Sequence, residues 1–173
     1  MATSSSNKMP LLVDRPLHSF ATIGGTAGLT SATDYNTPAP AGYVALVDCS
    51  GNDGAVVDSL SIVALEASTT ARNVLVFLST ASTATSITTA NSAYVAGATI
   101  GSTARGERTN IPLPPLSVPV PNLGADSSIT ETDKKNTGLY VPSSALLYVG
   151  VDQAIAAPSA NTRVHVFAQG GFF

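Results

Sequence analysis

The hydrophobic and polar positions are most sharply patterned between Val56 and Thr80, VVDSLSIVALEASTTARNVLVFLST. Two apolar runs, Leu60–Leu65 and Val74–Leu78, flank the polar segment Glu66–Asn73 there. Runs of about 5–7 residues rich in Val, Ile, Leu and Phe, bounded by polar residues, predict β-strands rather than helices. In the first run Leu60, Ile62 and Ala64 share one face, and Val63 and Leu65 share the other. In the second, Val74, Val76 and Leu78 oppose Leu75 and Phe77. Side chains alternate between the faces of a strand, so both runs are apolar on both sides and are expected to be covered twice. The pattern predicts a central β-hairpin. One of its faces is expected to meet a second sheet that includes Val164–Ala168, the other an arm or a sister subunit.

Elsewhere the pattern is weaker. Residues 1–40 lack strand-like continuity: a small, polar start, MATSSSNK, leads to short apolar anchors at Leu11, Leu12 and Val13 and at Leu17 to Phe20, broken by Pro16. A Gly/Thr/Ala/Ser stretch and the hinge Thr37-Pro38-Ala39-Pro40 follow. This reads as an extended N-terminal arm over 1–40 that hugs its own domain or a neighbour, ahead of a single domain over 41–173. Tyr43–Cys49 predicts a strand with Tyr43, Ala45 and Val47 on one face, and Ser50-Gly51-Asn52-Asp53-Gly54 supplies turn chemistry suited to positive φ. Ile87–Thr89 and Tyr94–Ile100 are weak strand candidates. The prolines of Ile111–Val120, IPLPPLSVPV, predict an edge strand or a docked extended segment, and the charged stretch Asn122–Gly138 a solvated loop. Leu139–Val141, Ala145–Val151 and Arg163–Gln169 complete the strands, with Val164, Val166 and Ala168 inward and Arg163, His165 and Gln169 outward. The terminal Phe172 and Phe173 follow a Gly pair and are expected to plug a pocket on this subunit or another. No helical period of more than about two turns is visible. The fold class that follows is all-β: a single β-sandwich of about eight strands.

Composition points to assembly. Charged residues make up 11% of the 173-residue chain, with a net charge of −3 and aromatics at 6%. A surface so poor in charge suits a protein with much of its area against neighbours. The eight basic residues are scattered, with no cluster beyond Lys134-Lys135, which argues against a nucleic-acid partner. No apolar stretch reaches the roughly 18 residues of a membrane span, so no membrane partner is expected. Met9–Val13 is too short for a signal-peptide core.

Candidate chemistry fails on residue supply. The single cysteine, Cys49, forms no intrachain disulfide and reads as a small core hydrophobe. His18 and His165 lie at opposite ends of the sequence without metal-ligand spacing. No GxSxG elbow is present. Asp126, Glu131 and Asp133 share a loop, but a carbohydrate cleft usually adds aromatic platforms, and the chain has no Trp. Gly24-Gly25-Thr26-Ala27-Gly28 lacks the Lys-Ser/Thr of a phosphate loop. A non-enzyme without metal or cofactor is expected.

Three segments together resemble a family of small virion proteins of tailed bacteriophages. They are Val57-Asp58-Ser59-Leu60-Ser61-Ile62 after a Gly/Asn turn, Thr70-Ala71-Arg72-Asn73-Val74-Leu75-Val76-Phe77-Leu78-Ser79, and the ending Val164-His165-Val166-Phe167-Ala168-Gln169-Gly170-Gly171-Phe172-Phe173. The likeness spans roughly 43–80 and 139–173; the family's ending usually has Asp before the final Phe, where this chain has Phe172. The resemblance implies a jelly-roll-like sandwich that sits on the outer surface of the virion as a capsid cement or decoration protein. It further implies binding to the assembled major capsid protein, as a homotrimer. Capsid or inter-subunit contacts are expected from the arm (Leu11, Leu12, Val13, Leu17, Phe20) and from Phe172 and Phe173. Two other classes fit the same composition: a tail, baseplate or fibre-base component, and a receptor- or glycan-binding head module.

Overall fold

A computed structural model describes residues 14–24, 43–65, 71–101, 105–114, 138–152 and 163–173. Nine strands run through these segments: β1 (Arg15–Gly24), β2 (Val44–Asp48), β3 (Gly54–Ala64), β4 (Arg72–Ser79), β5 (Ser92–Ile100), β6 (Arg108–Ile111), β7 (Leu139–Pro142), β8 (Leu146–Val151) and β9 (Arg163–Phe172). They form two antiparallel sheets. Sheet A has the order β1-β9-β3-β6, with β7 pairing the first half of β3, and sheet B the order β2-β8-β4-β5. Among the described residues there is no α-helix, only a 3-10 turn at Ala84–Ser86.

The two sheets enclose one apolar core. Sheet A contributes Leu17, Ala21, Ile23, Val57, Leu60, Ile62, Val166 and Ala168; sheet B contributes Leu46, Val47, Val74, Val76, Leu147, Val149 and Val151. Alternation explains each set except at bulges. In β3 the register against β9 shifts between Val57 and Ser59. The extra residue, Asp58, keeps the odd-numbered Ala55 and Val57 and the even-numbered Leu60, Ile62 and Ala64 on one face. In β2 a shift between Ala45 and Val47 breaks the expected Tyr43/Ala45/Val47 face: Leu46 and Val47 both enter the core, Ala45 is exposed, and Tyr43 packs on the far side of sheet B.

The central hairpin does not form. β3 lies in sheet A and β4 in sheet B, so the two apolar runs face each other across the core instead of pairing. Alternation reports which faces are apolar but not which strand lies alongside. The seven residues between Ala64 and Arg72 are long for a hairpin and ample for a step between sheets. Likewise Val164–Ala168 lies in the same sheet as β3 and is its direct neighbour.

Four further expectations change. Ile87 follows the 3-10 turn and belongs to no strand. In the Ser50–Gly54 turn only Gly54 takes a positive φ, where an added Cβ would sit 2.9 Å from the Val141 carbonyl oxygen. β6 stops at Ile111, directly before Pro112, whose ring removes the next ladder donor; residues 115–120 lie outside the described segments. Finally, Arg15–Gly24, within the stretch expected to be an arm, is strand β1, paired along its whole length with β9. Pro16 and the polar His18, Ser19 and Thr22 hid its alternation, yet Leu17, Ala21 and Ile23 point into the core. Residues 1–13 and 25–40, the rest of that stretch, and the loop at 122–137 lie outside the described residues.

Candidate assembly surface

The outer faces of the two sheets are treated differently. On sheet B, Leu75, Phe77, Leu146 and Tyr148 point away from the main core and are covered by Tyr43 and by Ala81 and Ile87 of the β4–β5 connection. The cover is anchored by hydrogen bonds. The Tyr148 hydroxyl donates to the Ala81 carbonyl at 3.0 Å, and the Ser79 hydroxyl donates to the Asn91 carbonyl at 2.9 Å while accepting from the Ala81 N–H at 3.0 Å. Asn91 braces the turn, accepting from the Thr88 N–H and donating to the Ser86 carbonyl, both at 2.8 Å. Thus the second apolar face of β4 is satisfied within the subunit.

Sheet A has no such cover among the described residues. Strand register sets the rungs of its outer face: Phe20, Phe167, Ser61 and Asn110 on one, and Thr22, His165, Val63 and Arg108 on the next. Phe20 is 60% exposed and packs against His165 and Phe167, with ring centroids 5.5 and 6.0 Å away. His165 and Phe167 meet edge to face at 5.8 Å. A third rung carries Tyr140, Val56, Gly171 and Pro16, and there Tyr140, 42% exposed, lies 6.2 Å from the Phe173 ring. Among the described residues, then, an aromatic strip with no carboxylate on its Phe20 rung lies uncovered on this face, exposed at Phe20 and Tyr140 and half-buried at Phe167 and His165.

The residues expected to make contacts separate clearly. Leu11, Leu12 and Val13 lie outside the described residues. Leu17 is 3% exposed and belongs to the chain's own core, so it offers no contact surface. Phe20 lies on the open face. Phe172 points inward, half-buried against the core, under the Arg15 guanidinium at 4.8 Å; Arg15 also donates to the Asn52 Oδ1 at 2.5 Å. Phe173 is half-buried beside Tyr140, and its N–H donates to the Gly54 carbonyl at 3.0 Å. The two terminal phenylalanines thus end a strand of the subunit's own sheet. The residues that sequence reasoning missed are Phe167, His165 and Tyr140. The odd parity of β9, which already placed His165 and Gln169 outward, also places Phe167 outward.

Reactive chemistry is sparse. The Cys49 thiol is buried, and burial, reinforced by the neighbouring Asp48 carboxylate, pushes its pKa up to about 11. Such a thiol stays protonated and inert at neutral pH. His18 and His165 do share the outer face of sheet A, but His165 sits opposite Thr22. They are therefore separated by four residues of strand, about 13 Å. Among the described residues no group of three His, Cys, Asp or Glu side chains could hold a metal ion. A cleft of about 450 Å³ separates the edges of β1 and β2, and the Ser19 hydroxyl bridges it by donating to the Leu46 carbonyl. No family model matches the chain, and no curated protein or solved structure is similar to it.

Proposed function

We propose that the chain is a virion structural protein, a cement or decoration protein that binds the assembled major capsid protein on the outside of the shell and stabilises it. The observation that carries this reading is the asymmetry of the two outer faces. On sheet B the connection covers Leu75, Phe77, Leu146 and Tyr148 and, among the described residues, leaves one large exposed hydrophobic side chain, Tyr94 on β5. Sheet A has no such cover among the described residues and exposes Phe20 and Tyr140, with Phe167 and His165 half-buried beside Phe20. Exposed aromatic strips of this kind mark interaction surfaces. The resemblance carried by β3, β4 and β9 supplies the partner, and the low charge of the chain fits a life spent assembled. We also infer that the sandwich is a jelly roll, a fold widely used in virus capsids. In support, β1 pairs β9, β2 pairs β8, β3 pairs β6 and β4 pairs β5, a nested antiparallel set split between two sheets. Fold alone assigns no function, so the surface has to carry the argument. Binding only the assembled shell would stabilise it by mass action.

Co-sedimentation with assembled shells tests this reading. The wild-type chain is expected to pellet with shells, and Phe20→Ala and Phe167→Ala are each expected to weaken binding about tenfold or more, as truncation of a central aromatic contact does. Equal binding by a folded Phe20→Ala/Phe167→Ala double variant would refute it.

A further inference from the structure

Among the described residues no strand pairs the outer edge of β1, which faces β2 only across the cleft bridged by Ser19, and this edge differs from the other unpaired edges of the two sheets. β2 has 5 residues and a bulge; β6 and β7 have 4 residues each; β5 has a register shift opposite Val76/Phe77. These are the usual devices that stop edge strands from pairing with other chains. β1 has 10 residues in unbroken register with β9 and no bulge, and from Leu17 to Gly24 it carries no Lys, Arg, Asp, Glu or Pro.

The direction of its free backbone groups follows from the neighbouring strands. The Ala64 N–H and C=O both bond to residues 106 and 107, on the β6 side, so Val63 directs its own groups to β9. Opposite Val63 is His165, and beyond it Thr22. By alternation the odd-numbered residues of β9 face β3 and the even-numbered ones face β1. The Phe173 N–H bonded to Gly54 in β3 agrees with this parity. His18, Phe20 and Thr22 therefore direct N–H and C=O away from β9, to the open side. Pro16 has the same parity, where its missing N–H breaks no bond with β9.

We propose that this edge pairs with β1 of a second copy, antiparallel about a two-fold axis through Phe20. A centre at Phe20 pairs the whole span Pro16–Gly24 with itself. It sets Phe20 against Phe20 of the partner subunit, with His18 and Thr22 exchanging backbone hydrogen bonds across the axis, about six bonds in all. No charged residue of one β1 faces another within that span. Such a contact is isologous and closes at two copies. It joins the two copies of sheet A into one and lays their Phe20–His165–Phe167 strips side by side. This symmetry differs from the trimer that the resemblance implies, and the contact does not depend on shell binding.

Sedimentation equilibrium over a micromolar range, without shells, decides it. Two chains of 17.4 kDa give a species near 35 kDa. Thr22→Pro removes an outward N–H and leaves the β1–β9 ladder intact, so it is expected to be a folded monomer with an unchanged circular dichroism spectrum. Phe20→Lys, which places two ammonium groups at the axis, is expected to be monomeric as well and serves if the proline variant fails to fold. Under mild oxidation Phe20→Cys is expected to cross-link two chains, since Cα atoms about 5.5 Å apart suit a disulfide. Asn110→Cys, on the same rung but at β6, is expected not to cross-link; Cys49 is buried and does not compete. A monomeric or trimeric wild type, a dimer untouched by both disruptive variants, or a dimer in which Phe20→Cys fails to cross-link would each overturn the proposal.

Discussion

Replacing Gly170 by Ala should strongly destabilise the domain at the β9–β3 ladder. A Cβ built at Gly170 would lie 1.9 Å from the Val56 carbonyl oxygen, 2.9 Å from the Val56 carbonyl carbon and 3.0 Å from the Val57 Cα. All three are backbone atoms, so no side chain can swing away. Relief requires β9 to move off β3 beside the bulge at Asp58, where Val57 faces Gly170 and Ser59 faces Gln169. Such a movement stretches the ladder bonds around Val56–Ser59. Losing three or four of them, at about 1 kcal/mol each, gives a destabilisation of roughly 3–4 kcal/mol. For a domain whose stability is about 5–15 kcal/mol this is a large fraction. Urea unfolding followed by circular dichroism measures it, with Gly51→Ala as the control, since nothing lies within 4 Å of a Cβ there. The control is expected to stay within about 0.5 kcal/mol of wild type. A Gly170→Ala variant less than 1 kcal/mol below wild type would refute the close approach of β9 to β3 at the bulge.

Tyr148→Phe removes the hydroxyl that holds Ala81 and leaves that carbonyl short of a buried donor; a loss of about 1–2 kcal/mol is expected, with faster amide exchange concentrated in residues 80–91. Unchanged exchange there would show that the connection is held otherwise. The raised Cys49 pKa makes stability depend on alkali. The unfolded thiol ionises near 9.0 and the folded one near 11, so its contribution is full below about pH 9 and is lost as pH rises to about 11. Tyr148, also raised above 10.0 by burial and by Asp48, acts in the same direction at higher pH. Cys49→Ala should abolish the decline between pH 9 and 10 in pH-dependent urea titrations; an unaltered decline would assign it to another group.

Much of the fold is legible in the sequence, and the gaps have physical causes. Strict alternation in Val164–Ala168 and the apolar runs of β3 and β4 identify strands and their inward residues because burial selects one parity. Pairing is less visible, since ladder bonds are made by backbone groups that every residue carries; hence β3 and β4 suggest a hairpin although they lie in different sheets. Bulges at Ala45/Val47 and at Asp58 shift parity by one residue, which no periodic reading anticipates. β1 is hidden for a related reason: on an edge strand Pro16 breaks no bond, and three outward positions tolerate His, Phe and Thr. The candidate surface was half legible. Phe20 stands out as an isolated aromatic, whereas its packing with His165 and Phe167 depends on the β1–β9 register, which joins opposite ends of the chain.

The reading as a shell-binding structural protein is tested most directly by its abundance in purified particles. Densitometry of the 17.4 kDa band against the major capsid protein gives the copy number per virion. A protein that covers the shell is expected in the hundreds of copies. A dozen copies or fewer, or none, would contradict the account.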